Sequence, residues 1–227
     1  MRIVTSLSPH RVERQQRCIK SWHRVGAEVI AVQSPGETDV FSPYFPDITF
    51  AETHLVGDLF GRPKTVRIRA LIDHAPCILV NSDIEIVVTP ELFRDTWDRP
   101  VERTLQLGIR WDYHERTKRR QMIKWGIDVF RITEDMMDII PDIGMSVGVP
   151  VWDFWLPWYL HKQGYAIKPI KTFQFEHVMH KQHWAQTESV KGYEILKEHY
   201  GITQGQIGAF VLESTGRKHV KQWKPVI

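Results

Sequence analysis

Cys77-Ile78-Leu79-Val80-Asn81-Ser82-Asp83-Ile84-Glu85-Ile86 is the stretch on which the reading of this chain turns. A short apolar run passes through a polar step into two carboxylates separated by one residue. Apolar runs of this length, bounded by turn signals, read as buried strands of a parallel sheet. Side chains alternate along a strand, so Asp83 and Glu85 are expected on one face at its C-terminal end. Two carboxylates there could hold a hard divalent cation, and the cation could hold phosphate oxygens. A solvated strand end, where Asp and Glu are ordinary, is the plainer alternative.

Outward from this strand, the first hundred residues alternate β and α. Residues 2–7 read as a strand ended by Ser8-Pro9, and Val12, Ile19, Trp22 and Val25 then recur at helical spacing until Gly26. Residues 28–33 read as a second strand before the turn Ser34-Pro35-Gly36, so the chain opens with a parallel strand–helix–strand unit. Residues 48–52 form an expected third strand, residues 65–75 a helix, and Pro90 opens another. The second half is less regular. Strands are expected at 104–111, 126–132 and 166–170, the last taken as the final strand. The charged residues 113–124 suit a mobile loop or a solvated helix, Thr133 caps a short helix, and residues 147–159 are dense in Trp. From Gly192 onward the chain is polar and helical or irregular. The expected class is α/β: a single Rossmann-like domain with a mostly parallel central sheet, flanking helices and a mixed C-terminal half.

At 227 residues and 42% hydrophobic content, with nine Trp, the chain can bury one sizeable core. The net charge of +3 gives no reason to expect nucleic acid, and suits an anionic small ligand. No apolar run approaches a membrane span. Two cysteines, Cys18 and Cys77, in a chain that opens directly on a strand pattern without a leader, suggest reduced thiols and a cytoplasmic setting. There is no repeat, low-complexity segment or linker.

Candidate site residues follow the strand ends. Thr5, Ser6, Ser8 and Arg11 follow the first strand, where hydroxyls and a guanidinium could meet a nucleotide, or Ser8 could cap the helix. The absence of G-x-G-x-x-G and G-x-x-x-x-G-K-[ST] argues against a dinucleotide cofactor and a P-loop. Gln33 could read a base or ribose edge, or be a turn residue. Of Lys64, Arg67 and Arg69, Arg69 is the expected diphosphate partner. In Trp152-Asp153-Phe154-Trp155, Trp152, Trp155 and Tyr159 form one helical face and suit the core. Pro157 is tolerated in a first turn, which puts Asp153 at the helix mouth, as an N-cap or as a general base kept ionised by the dipole. Asp128, between apolar neighbours, needs a partner, either an acceptor hydroxyl or a nearby backbone or Arg group. His177, His180 and His183 recur at three-residue spacing and could supply metal ligands, with His177 and His180 preferred, or be structural.

Taken in order along residues 1–185, these features resemble the GT-A fold glycosyltransferases, which use nucleotide-sugar donors. The anchors are the opening strand–helix–strand, the D-x-D-like Asp83-Ile84-Glu85, the Trp152-Asp153-Phe154-Trp155 stretch, and the late His segment. Glu stands at the third position of the acidic motif, and Ser82 precedes it. The resemblance implies a nucleotide-binding half over 1–100, an acceptor half over 101–185, and a C-terminal extension over 186–227 packed on the same domain. It implies a divalent metal, Mn²⁺ or Mg²⁺, at Asp83 and Glu85 with His177 or His180, and donor contacts from Thr5, Ser6, Arg11, Gln33, Arg69, Ser82 and Asp83. A donor such as a UDP-sugar would pass its sugar to a glycan, lipid or small-molecule hydroxyl, with Asp153 or Asp128 handling the acceptor proton. The segment from His114 to Lys124 could form a lid that excludes water. A nucleotidyltransferase, a non-catalytic glycan- or protein-binding module and, more remotely, a metal hydrolase are the other classes this residue pattern admits.

Overall fold

A computed structural model describes residues 1–59, 62–180 and 186–215 of the chain. His183 and the side chain of Lys64 lie outside the described residues. The protein is α/β. Strand β1 (Arg2–Thr5) leads through helix α1 (Val12–Arg24) to β2 (Glu28–Gln33), as the sequence pattern requires. A short helix α2 (Thr38–Phe41) precedes β3 (Thr49–Glu52). The expected helix over 65–75 is mostly absent. A separate hairpin of β4 (Val56–Leu59) and β5 (Arg62–Val66) takes its first residues, and α3 (Ile68–Ile72) is a single short turn region before Pro76.

The quoted strand is not one strand. It divides into β6 (Cys77–Val80), a turn at 81–83, and β7 (Ile84–Ile86). Helix α4 (Pro90–Trp97) follows, with Pro90 in its first turn and the Thr89 hydroxyl accepting from the Leu92 amide. Strands β8 (Thr104–His114) and β9 (Arg119–Ile132) form a long antiparallel hairpin. The loop or solvated helix expected over 113–124 is therefore mainly strand. Its charges fall on consecutive residues and so on both faces of the ribbon, which hides the strand period. Next come α5 (Glu134–Ile139), α6 (Trp152–Lys162), β10 (Ala166–Ile170) and a further strand, β11 (Phe175–Val178), beyond the one expected to be last. Helices α7 (Gln186–Tyr200) and α8 (Gln204–Ser214) complete the described chain.

The central sheet runs β3-β2-β1-β6-β9-β8-β11-β7, with β10 also paired to β8. It is mostly parallel but mixed, because β9 and β7 oppose their neighbours. In sequence, β6 and β7 are separated by three residues, yet three strands lie between them in the sheet. Four Cα steps span roughly 14 Å, whereas four strand spacings in a flat sheet come to roughly 19 Å. The sheet must therefore curl, and the curl returns β7 to the side of α1. There the Trp22 indole donates to the Ile84 carbonyl at 2.9 Å, and the Ile86 amide donates to the Ser21 hydroxyl at 2.9 Å. Helix α1 thus satisfies the strand edge that pairing leaves open.

Two apolar layers pack the faces of this sheet. One holds Trp22 of α1, Phe93 and Trp97 of α4, and Phe175 of β11. The other holds Trp152, Trp155, Leu156 and Leu160 of α6 with Leu196, Ile207 and Val211, so the C-terminal helices share the core. Trp152 and Trp155 are buried as expected. Pro157, however, lies past the first turn of α6, where it lacks the N–H that would bond the Asp153 carbonyl. Both cysteines are buried free thiols, and burial pushes each up to about 12, so neither is a nucleophile at neutral pH. Among the described residues, no helix is long and apolar enough to cross a membrane.

Gly108 sits where an added Cβ would enter the Phe175 ring, which packs edge-on against Phe93 and Trp97. Gly108→Ala is expected to lower unfolding free energy by about 1–3 kcal/mol in urea titration. An unchanged midpoint would show that the ring can move aside.

Candidate functional site

Strands β1, β6, β8 and β11 all run the same way, so their C-terminal ends share one edge of the curled sheet. A cleft of about 1470 Å³ opens there. It is larger than a single small-ligand pocket usually is. Ser6, Arg11, Ser82, Asp83, Asp128, Asp153, His177 and His180 all line it, although they come from five separate segments of the chain.

The turn after β6 aims Asp83 into this cleft, and β11 with its following residues brings two imidazoles to meet it. His177 Nε2 lies 3.3 Å and His180 Nε2 3.1 Å from the same oxygen, Asp83 Oδ2. The three ligand atoms lie within 4.8 Å of one another and could hold a metal ion. Burial works to raise the Asp83 pKa, but the hydrogen bonds from His177 and His180 outweigh it and hold the carboxyl well below the usual carboxylate range. Arg14, in the first turn of α1, donates to the Asp83 carbonyl at 3.3 Å and so steadies the turn.

A second tier of charge lies behind the trio. His177 Nδ1 is 2.9 Å from Asp112 Oδ1, and Arg110 Nε lies 3.0 Å from that same oxygen. Arg110 Nη1 reaches Asp128 Oδ2 at 3.0 Å, and the Asn81 amide donates to Asp128 Oδ1 at 2.5 Å. Burial opposes the Arg110 charge, but Asp128 and Asp112 outweigh it and raise its pKa. For His177, burial favours the neutral ring, yet Asp112 and Asp83 raise its pKa to about 9. Gly126, on β9, makes room for this arrangement, because a Cβ there would occupy the position of the Arg110 side chain.

Asp153 stands across the cleft as the second residue of α6. Burial first, and the Asp128 charge second, push its pKa up to about 7, against the pull of Arg110. The helix dipole alone would keep this group fully ionised. Withdrawal from water and a neighbouring carboxylate are the stronger effects. The residue before α6, Val151, has φ 94°, a costly conformation for a β-branched side chain, so the backbone is strained beside Asp153.

Four expected site residues do not face the cleft. Glu85 is on β7, away from the trio, and its carboxylate meets Arg17 Nη2 at 2.6 Å and Nε at 2.8 Å. The shared face inferred for Asp83 and Glu85 fails because the strand breaks between them. Gln33 is fully buried, accepts from the Leu7 amide at 2.7 Å and the Ser6 hydroxyl at 3.1 Å, and donates back to the Leu7 carbonyl. It pins the loop after β1 and presents no edge to a base. Arg69 pairs with Asp73 at 2.6 Å and donates to the carbonyls of Met137 and Ile140, holding α3 to the end of α5. Thr5 is wholly buried. Ser8 is not the cap of α1 either, since the helix begins at Val12 with Arg11 as its N-cap residue, at φ 59°.

Arg14, Asn81, Arg110 and Asp112 were missed. Arg110 and Asp112 stand two apart on β8, so strand alternation could have put both on one face. Asp112 instead fell at the boundary between an expected strand and an expected loop. No known protein family matches this chain, and a search of curated proteins finds no match.

The raised pKa of Asp153 has a consequence for stability. Between pH 4 and 7 the folded state retains a proton that the unfolded chain has lost, so this group's contribution is full at low pH and is lost as pH rises through about 7. Asn cannot ionise. Asp153→Asn is therefore expected to gain on the wild type by about 1–2 kcal/mol from pH 4 to pH 8, the side chain's partial exposure limiting the effect. Urea midpoints across that range check it, and a gap that shrinks with rising pH would contradict the assignment.

Proposed function

We propose that this protein is a metal-dependent glycosyltransferase that moves a sugar from a nucleoside diphosphate sugar to an acceptor hydroxyl. The observation that carries this reading is the convergence of Asp83, His177 and His180 on one point, in the same cleft as Asp153. The parallel run β3-β2-β1-β6 with its crevice at the C-terminal edge supports it, because open α/β sheets bind their ligands there. The order of parts along the chain is also the order that the GT-A resemblance implies.

A divalent cation held by the trio would neutralise charge that develops on the leaving diphosphate. The chain's own residues supply the rest. Arg11 and Arg14, on the loop and first helical turn after β1, bring positive charge to the donor side of the cleft. The Gln33 clamp holds that loop in one conformation, so little ordering remains to be done on binding. In an inverting reaction Asp153 accepts the acceptor hydroxyl's proton as the oxygen attacks the anomeric carbon. With its pKa near 7 it is a stronger base than an ordinary carboxylate and is still substantially ionised at neutral pH. Asp128, tied to Arg110 and Asn81, does not take the proton; it tunes Asp153 by its charge. The hairpin tip at His114, Glu115 and Arg116 stands beside Met179 and His180, where it could shield the reacting centre from water.

Two readouts test the proposal. Nucleoside diphosphates are offered with and without Mn²⁺ in a thermal-shift panel. One of them is expected to raise Tm by about 5–11 °C at 100 times its Kd, only with metal and not in Asp83→Ala. Donor turnover with the matching sugar is then expected to fall 10²–10⁴-fold in Asp153→Asn, with nucleotide binding retained. No shift with any diphosphate would overturn the reading, and pyrophosphate release from a nucleoside triphosphate would replace it with nucleotidyl transfer.

A further inference from the structure

We infer that the Asp83–His177–His180 trio is a transition-metal site that discriminates against Mg²⁺ and Ca²⁺, and that Asp112 is the positioning residue that sets its affinity through His177. The inference rests on the metal-assisted reading above and adds which cations the site takes and what tunes it.

The ligand chemistry comes first. The trio offers two imidazole nitrogens and one carboxylate oxygen. Mg²⁺ demands hard oxygen ligands in near-ideal octahedral geometry, and Ca²⁺ collects six to eight oxygens. Imidazole nitrogen suits Fe²⁺, Co²⁺ and Zn²⁺, and affinity for a mixed nitrogen and oxygen site rises from Mn²⁺ through Fe²⁺ to Co²⁺ and remains high at Zn²⁺. A second carboxylate would have shifted the balance toward hard cations. Glu85, the residue expected to supply it, is committed to Arg17 at 2.6 Å. Among the described residues the cluster has a single carboxylate.

The geometry agrees. Two ligand atoms each about 2.1 Å from one ion lie roughly 3.0 Å apart at a right angle and roughly 3.4 Å apart at the tetrahedral angle. The two nitrogens stand 3.1 and 3.3 Å from Asp83 Oδ2, inside that interval.

Asp112 determines how His177 presents itself. A carboxylate can only accept, so the contact at 2.9 Å keeps a hydrogen on His177 Nδ1 and makes Nε2, on the Asp83 side, the nitrogen whose lone pair a bound cation would take in place of a proton. The β8–β11 register sets His177 directly opposite Asp112, which fixes the ring's height. Arg110 anchors Asp112 from the other side at 3.0 Å. Asp112 thus acts on the trio through the His177 imidazole.

The test uses the full chain stripped of metal by a chelator and titrated with Co²⁺, read by its visible d–d absorption. The wild type is expected to bind one Co²⁺, to lose it to stoichiometric Zn²⁺, and to keep it against a thousand-fold excess of Mg²⁺ or Ca²⁺. Asp112→Asn is expected to weaken Co²⁺ binding 10–100-fold while leaving the absorption band in place, since the ligands are unchanged. His180→Ala, at a partly exposed position, is expected to alter or abolish the band with the far-UV circular dichroism intact, which covers the case in which Asp112→Asn does not fold. Displacement of Co²⁺ by Mg²⁺ at comparable concentration, or an unchanged affinity in Asp112→Asn, overturns this inference. Such a result leaves the transferase reading standing if the diphosphate shift persists. Failure of the wild type to bind Co²⁺, Zn²⁺ or Mn²⁺ overturns the inference, and a diphosphate shift that persists without metal then overturns the metal dependence of the transferase reading while leaving its nucleotide site standing.

Discussion

The three-residue connection from Val80 to Ile84 is the constraint on which the rest of this structure depends. It is too short to cross a flat sheet, so the sheet curls, and the curl seats β7 against α1. Asp83 sits at the break in the chain, where no ladder partner constrains it. Because β11 pairs with both β7 and β8, the same curl carries His177 and His180 to Asp83. One local break in an apolar run thus places the carboxylate, orients the imidazoles and opens the cleft.

The charges behind the trio are organised by a single cation. Arg110 lies between Asp112 and Asp128, which are 10% and 5% exposed as side chains and could not both stay ionised there without a partner. Its two contacts divide the carboxylates into roles. Asp112 is turned toward the imidazole, and Asp128 is turned toward Asn81 and, electrostatically, toward Asp153. A buried pair of this kind is not a source of net stability, since desolvation offsets most of the attraction, but losing one member leaves an uncompensated charge. Its value lies in holding two acids of the cleft lining at fixed positions. Gly126 is the space that the guanidinium stem needs to reach them.

Local pattern made much of the N-terminal half legible. The β1–α1–β2 unit follows from one apolar strand, one amphipathic helix and one Gly stop, and β2 and β10 have the bounds their residues suggest. The failures share a cause. The stretch 77–86, apolar except for 81–83 and Glu85, hides the break at 81–83, because strand periodicity says nothing about which partner each half will find. The hairpin through His114 and Arg119 reads as solvated because both its faces carry charge, and only pairing with β9 reveals the strand. Asp83, His177, His180 and Asp153 were visible as chemistry-bearing residues, but their convergence depends on contacts 97 residues apart in sequence. Gln33 and Arg69 had plausible chemistry and suitable places, and were consumed by backbone groups that needed partners. Arg110 and Asp112 share one face of β8 by their spacing, but their roles depend on His177 and Asp128 on other strands.

The most direct measurement is anomalous diffraction at the manganese edge from crystals soaked with Mn²⁺ and UDP. The account predicts one strong peak about 2.0–2.3 Å from Asp83 Oδ2, His177 Nε2 and His180 Nε2, with diphosphate oxygens completing the coordination on the side of Arg14. A peak elsewhere, or diphosphate bound in the cleft with no metal between it and Asp83, would contradict it.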